Sequence, residues 1–188
     1  MDSLILYASS CDGPDSVPPT PEVMETYSNT SSTPEEVGQS SITLMFPKLW
    51  FEANPNYLNY VPVPSKSVSP DVMEMQIRAS ENWSGKCQIL GNISSSTIAI
   101  VGTDDYFTPA ENSVNIVQKI PGAWLMKIKD AGHGLMYQYP EIFNKAVLSF
   151  LNIQELQSSN TNSNANHEVR VDMKPVRTPL IFSNDLAV

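Results

Sequence analysis

The feature that most constrains this chain is a repeated strand–turn–helix pattern between residues 96 and 153. Thr97-Ile98-Ala99-Ile100-Val101 is a β-branched apolar run, and Ala123-Trp124-Leu125-Met126-Lys127-Ile128-Lys129 is a second strand candidate. Each is followed by turn residues and then by a proline-marked helix start. Thr108-Pro109-Ala110-Glu111 has the form of a capping box with proline at the first helical position. The helix it opens carries Val114, Val117 and Ile120 on one side, and Pro121-Gly122 stops it. Tyr139-Pro140-Glu141 opens a second helix, with Ile142, Phe143, Ala146, Val147, Phe150 and Leu151 at helical spacing. Strand, helix, strand, helix in this order demands crossovers, so the fold class is α/β with a parallel sheet.

The flanks extend this frame. Ser3-Leu4-Ile5-Leu6-Tyr7-Ala8 reads as a third strand buried on both faces, ended by the turn cluster Cys11-Asp12-Gly13-Pro14-Asp15. Residues 17–91 hold no strand pattern. They contain three helix starts of one type, Thr20-Pro21-Glu22, Thr33-Pro34-Glu35-Glu36 and Ser69-Pro70-Asp71, each a hydroxyl before a proline. Asn54-Pro55 and Val61-Pro62-Val63-Pro64 break the stretch into short pieces. The organisation expected is a three-stranded core from residues 1–16 and 92–153, and a helical insertion over 17–91. A Ser/Asn/Thr-rich tail over 154–188 has too little apolar surface to order itself. Leu180-Ile181-Phe182 is its one apolar exception.

Composition narrows the partners. Of 188 residues, 41% are hydrophobic, enough for a core, and 20 acidic against 11 basic residues leave a net charge of −9. That balance argues against nucleic acid and against an anionic membrane surface. No apolar run approaches the roughly 18 residues that span a bilayer. Leu4 to Ala8 is too short for a signal-peptide core. The two cysteines, Cys11 and Cys87, suggest free thiols in a reducing cytoplasm rather than a disulfide scaffold or zinc site. No phosphate loop, metal-ligand cluster or dinucleotide fingerprint occurs, so no cofactor is implied. Without a secretory signal, the glycosylation sequons at Asn29, Asn82 and Asn92 read as chance matches.

In a parallel sheet, functional groups gather just past the carboxyl ends of the strands. Gly102-Thr103-Asp104-Asp105-Tyr106-Phe107-Thr108-Pro109 follows one strand and Asp130-Ala131-Gly132-His133-Gly134 follows the next. Asp105 and His133 are 28 residues apart, one βαβ unit, which would make them leave adjacent parallel strands at the same edge. A carboxylate so placed can hold an imidazole Nδ1–H and orient a base. The glycines beside His133 suggest a tight turn that presents the ring. The plainer alternative is that Asp105 caps its turn and His133 occupies a loop.

Gly-x-x-Asp-x-x-x-Pro, then Gly-His-Gly, then Tyr-Pro-Glu before an amphipathic helix, resembles the C-terminal half of an α/β-hydrolase. The esterase, haloperoxidase and proline-iminopeptidase-like group is the best match. Ser3 to Ser9 is similar to that family's sixth strand, and residues 17–91, ending in Asn82-Trp83-Ser84-Gly85, to its helical lid. The resemblance implies Asp105 as triad acid and His133 as general base, with Asp104 a turn or surface carboxylate. It implies hydrolysis of small esters or amides. The family's nucleophile lies in Gly-x-Ser-x-Gly, and no such motif occurs here; Gly38-Gln39-Ser40-Ser41-Ile42 fails at its last position. Ser9, Ser10 and Cys11 lack an elbow around them. The expectation is a hydrolase cut between nucleophile and lid, inactive unless a complementing chain supplies the serine. Self-association through an uncovered strand edge goes with it. A non-catalytic remnant or protein-interaction module is the alternative. Met24, Met45, Met73 and Met75, with Trp50, Phe51, Tyr57 and Tyr60, read as a pocket lining or as plain packing.

Overall fold

Short, mostly apolar runs build three strands, β1 (Ser3–Tyr7), β2 (Ser96–Gly102) and β3 (Trp124–Ile128). The computed structural model describes residues 2–28, 40, 42–59, 61, 69–163 and 181–182. A two-residue strand, β4 (Ile181–Phe182), completes the sheet in the order β1-β2-β3-β4, with every pair parallel. The register sets Ile5 beside Ile98, Tyr7 beside Ile100, and Ile100 beside Met126. These residues share one face, where Ile98, Ile100 and Ile128 pack with Leu135 and Phe150. Thr97, Ala99 and Val101 alternate with them and are as fully buried on the other face.

Helices among the described residues include α1 (Pro21–Ser28), α2 (Lys48–Ala53), α3 (Pro70–Glu81), α4 (Ala110–Lys119), α5 (Leu135–Gln138) and α6 (Pro140–Ser163). Short 3₁₀ turns lie at Tyr57–Asn59 and Cys87–Asn92. α4 crosses from β2 to β3 and packs on both, and α6 packs along α5 and β1. The helix starts expected at Pro21, Pro70 and Pro140 are where α1, α3 and α6 begin. The Thr33 start, Tyr60, most of the Val61–Pro64 break and the Met73 side chain lie outside the described residues.

Several expectations are corrected. β1 is half-buried along its whole length rather than buried on both faces, because among the described residues it pairs with β2 alone. The buried face of α4 carries Asn112, Ser113 and Ile116, not Val114 and Val117. Asn112 turns it: its Oδ1 accepts the Val17 N–H at 2.8 Å and its Nδ2 donates to the Val17 carbonyl at 2.8 Å. A buried amide so paired outweighs an apolar stripe that was only approximate. Leu151 is exposed, and α6 continues ten residues past the boundary expected at Ile153. No proline or glycine interrupts 154–163, and a helix anchored at its start gains one hydrogen bond for each residue it adds. Ile181 and Phe182 pair with Lys127 and Ile128; the rest of 164–188 lies outside the described residues.

Cys11 and Cys87, expected as free thiols, form a disulfide with Cα atoms 5.0 Å apart. β1 and β2 are neighbours, so the segment between them leaves and returns at one place. There the Lys86 N–H donates to the Cys11 carbonyl at 2.9 Å. A Cβ on Gly85 would lie 2.6 Å from the Asp12 carbonyl carbon, so two backbones touch beside the bridge. Cysteine count and spacing carry no sign of this, because the pairing is spatial. The inference of a cytoplasmic location from unpaired thiols loses its premise.

Candidate active site

The two loops that leave β2 and β3 continue as a zipper past the end of the sheet. The Thr103 N–H donates to the Ile128 carbonyl and the Asp104 N–H to the Ala131 carbonyl, both at 2.9 Å. The Asp130 N–H donates to Thr103 Oγ1 at 2.9 Å. Asp130 turns with φ 55°, a left-handed conformation that Asp tolerates better than most residues. Gly102 admits this closeness, since a Cβ there would lie 2.0 Å from the Ala131 carbonyl oxygen.

The zipper aligns Asp105 with His133. The Asp105 side chain is fully buried, and its Oδ2 and Oδ1 lie 3.0 and 3.1 Å from His133 Nδ1. Oδ1 also accepts the N–H groups of Phe107 at 3.0 Å and Thr108 at 2.7 Å. The Thr108 N–H is the donor that a capping-box glutamate would have taken, so the aspartate replaces the cap expected at Thr108–Glu111 and α4 begins at Ala110. A carboxylate accepts from all three donors. In the bond to His133 an Nδ1–H is the donor, and in the neutral ring Nε2 then keeps a lone pair, the acceptor a general base needs.

Both neighbours of the histidine are held. The Gly132 N–H donates to Gln138 Oε1 at 2.7 Å, and the Tyr7 hydroxyl donates to the His133 carbonyl. Gln138 Nε2 is buried with no partner among the described residues, so the glutamine's Oε1 alone answers to this loop. Burial pushes the Tyr7 hydroxyl up to about 12, and the nearby Asp105 charge acts in the same direction. Phe107 packs against the His133 ring, with centroids 5.2 Å apart, and lines a cleft of about 390 Å³ with Ser10, Val17 and Pro19.

The glycines beside His133 do not serve the turn for which they were expected. Neither has a positive φ; Gly134 sits at −83°. They make room instead. A Cβ on Gly132 would lie 2.5 Å from the Met45 carbonyl oxygen, and one on Gly134 would lie 2.4 Å from Phe46 Cε1.

The other singled-out residues take different places. Asp104 receives a hydrogen bond from Thr103 Oγ1 at 3.0 Å. Ser9 Oγ donates to the Tyr7 carbonyl, Ser10 Oγ pairs with Ser16 Oγ, and Cys11 is bridged. Met24 and Met75 are exposed. Trp50 stacks on Phe46 at 4.4 Å, and Phe51 meets Tyr57 at 4.2 Å. Sequence reasoning missed Tyr7, Gln138 and Phe46. Only the apolar run at Tyr7 carried a local signal. Among the described residues no cluster of acidic, His or Cys side chains suits a metal ion, and no helix is long and apolar enough to cross a membrane.

No protein-family model matches the chain. A 62-residue stretch is 34% identical to 2-hydroxy-6-oxononadienedioate/2-hydroxy-6-oxononatrienedioate hydrolase of Klebsiella pneumoniae, covering 33% of this chain and 22% of that one. A 115-residue stretch is 30% identical to a Caulobacter sp. protein named as a carbamate hydrolase, covering 57% of this chain and 40% of that one. The structure superposes on a thermophilic esterase from Thermogutta terrifontis with a TM-score of 0.62 and 20% identity, over 81% of this chain and 56% of that one. The matched length is thus well under two thirds of each relative. Sheet, crossovers and edge loops together are those of the α/β-hydrolase fold.

Proposed function

We propose that this α/β-hydrolase-fold chain carries the acid and base of a hydrolytic Ser-His-Asp site acting on small esters or amides. Asp105 is the acid and His133 the base. The observation that carries the reading is the buried Asp105 carboxylate set against His133 Nδ1 by both oxygens. In the reaction, His133 Nε2 takes the proton of an attacking serine hydroxyl as its oxygen bonds to the substrate carbonyl. Nε2 then returns that proton to the departing alkoxide or amine, leaving an acyl-serine. In the second half His133 takes a proton from water as the water oxygen bonds to the acyl carbonyl, and returns it to the serine oxygen as the carboxylic acid leaves. Asp105 holds the ring and balances the imidazolium charge between those steps.

The 188 residues contain no Gly-x-Ser-x-Gly, and Ser9 and Ser10 are engaged locally. The serine is therefore assigned to polypeptide outside these residues, with the 17–91 insertion as the lid over the cleft. A second reading, a non-catalytic interaction module, is favoured by the same missing motif. The deciding experiment pairs this chain with the nucleophile-bearing half of a related esterase and follows ester hydrolysis. Turnover should appear only in the mixture and fall by about 10³-fold or more with His133→Ala. Equal turnover by wild type and His133→Ala would overturn the assignment.

A further inference from the structure

The geometry points to Met45–Phe46–Pro47, in the segment between β1 and β2, as a clasp that positions His133. The inference rests on the reading of His133 as a base and adds the device that keeps the base in place.

Three backbone groups of the 132–134 loop are bound by three different parts of the fold. Gln138 takes the Gly132 N–H and Tyr7 holds the His133 carbonyl. The Gly134 N–H donates to the Met45 carbonyl at 2.8 Å. The first two partners belong to the sheet and its last helices. The third is reached only when the inserted segment is seated.

Steric fit repeats the message. A Cβ on Gly132 would meet the Met45 carbonyl at 2.5 Å and Pro47 Cδ at 2.9 Å. Phe46 fills the space over Gly134, is 1% exposed, and is backed by the stacked Trp50 ring. Since neither glycine has a positive φ, contact with this segment is what requires them. The imidazole sits between the two clasped residues, so a shift of Met45–Pro47 frees the Gly134 N–H and the space on both sides. The ring then loses its fixed approach to Asp105. These are positioning residues: they touch the loop and not the reacting atoms.

The test is proton exchange in the full chain, read by NMR. The hydrogen-bonded His133 Nδ1–H is assigned by its loss in His133→Gln. In wild type, that proton and the Gly134 amide should exchange slowly and together. Phe46→Ala and Gly134→Ala should speed Nδ1–H exchange by about tenfold, the equivalent of one lost hydrogen bond. Leu49→Ala, 80% exposed and close by in sequence, should change nothing. Unchanged Nδ1–H exchange in both clasp variants overturns the clasp. If neither variant folds, the wild-type Gly134 amide decides: fast exchange beside a slow Nδ1–H overturns the clasp, and joint protection supports it. Turnover that survives His133→Ala would instead remove the base assignment and leave these exchange results standing.

Discussion

At the edge shared by β2 and β3, neighbouring backbones approach until no side chain fits, and three hydrogen bonds of 2.9 Å zip the loops together. The segment between β1 and β2 is held otherwise. Among its described residues Val23 and Phe46 are deeply buried, while Met24, Leu49, Val72, Met75 and Trp83 are exposed. It is tied down by a disulfide at its neck, the Asn112 amide on Val17, and the contact with the histidine loop, and an aromatic stack from Phe46 to Tyr57 holds it together within. The contrast teaches that the Asp105–His133 pair draws its geometry from the sheet, where packing is dense and errors are costly. The described part of the inserted segment is fastened at a few points and leaves much apolar surface in water.

The comparison breaks most visibly at the disulfide. Replacing both cysteines by serine should cost about 4 kcal/mol, since the bridge closes a loop of 76 residues. Limited proteolysis should then cut within 17–91 while the sheet resists. Simultaneous loss of both regions would mean that they are not separately held. Gly102→Ala should cost about 3 kcal/mol in chemical denaturation, because the new methyl meets a backbone carbonyl with no flexible neighbour to yield. Gly122→Ala, with φ +73° but open space around it, should cost only about 1 kcal/mol.

Tyr7→Phe sharpens the comparison through pH. The Tyr7 hydroxyl titrates at about 12 in the folded chain against 10.0 for an unperturbed tyrosine. The unfolded chain therefore loses this proton first, and folded stability falls as pH rises from 10 to 12. The Tyr7 contribution is fully present below pH 10, and Tyr7→Phe should flatten the alkaline slope measured by denaturation at each pH. The smallest effect belongs to the exposed surface of the insertion: Leu49→Ser should shift stability by less than about 0.5 kcal/mol.

Period and punctuation made part of this molecule legible. The strands at Thr97–Val101 and Ala123–Lys129, the crossover between them and the proline starts of α1, α3 and α6 are local patterns, and local patterns survive in one dimension. So did the candidate pair, because Asp105 and His133 each follow a strand by a few residues and parallel strands end at one edge. The face of α4 was misread, because Asn112 is turned inward by partners 95 residues away.

By itself the sequence determined the order of β1, β2, α4, β3 and α6, the parallel sheet and the edge at which Asp105 and His133 emerge. Tertiary structure decided the rest: the bridge between Cys11 and Cys87, the hydroxyl of Tyr7 on the histidine carbonyl, and Met45 and Phe46 against the two glycines. The physical reason is range. Helix and strand patterns repeat every two to four residues and are written along the chain, whereas a disulfide, a buried hydrogen bond or a missing Cβ is defined by what arrives from elsewhere. Gly132 and Gly134 show this best, for their meaning lay in a segment more than eighty residues earlier in the chain.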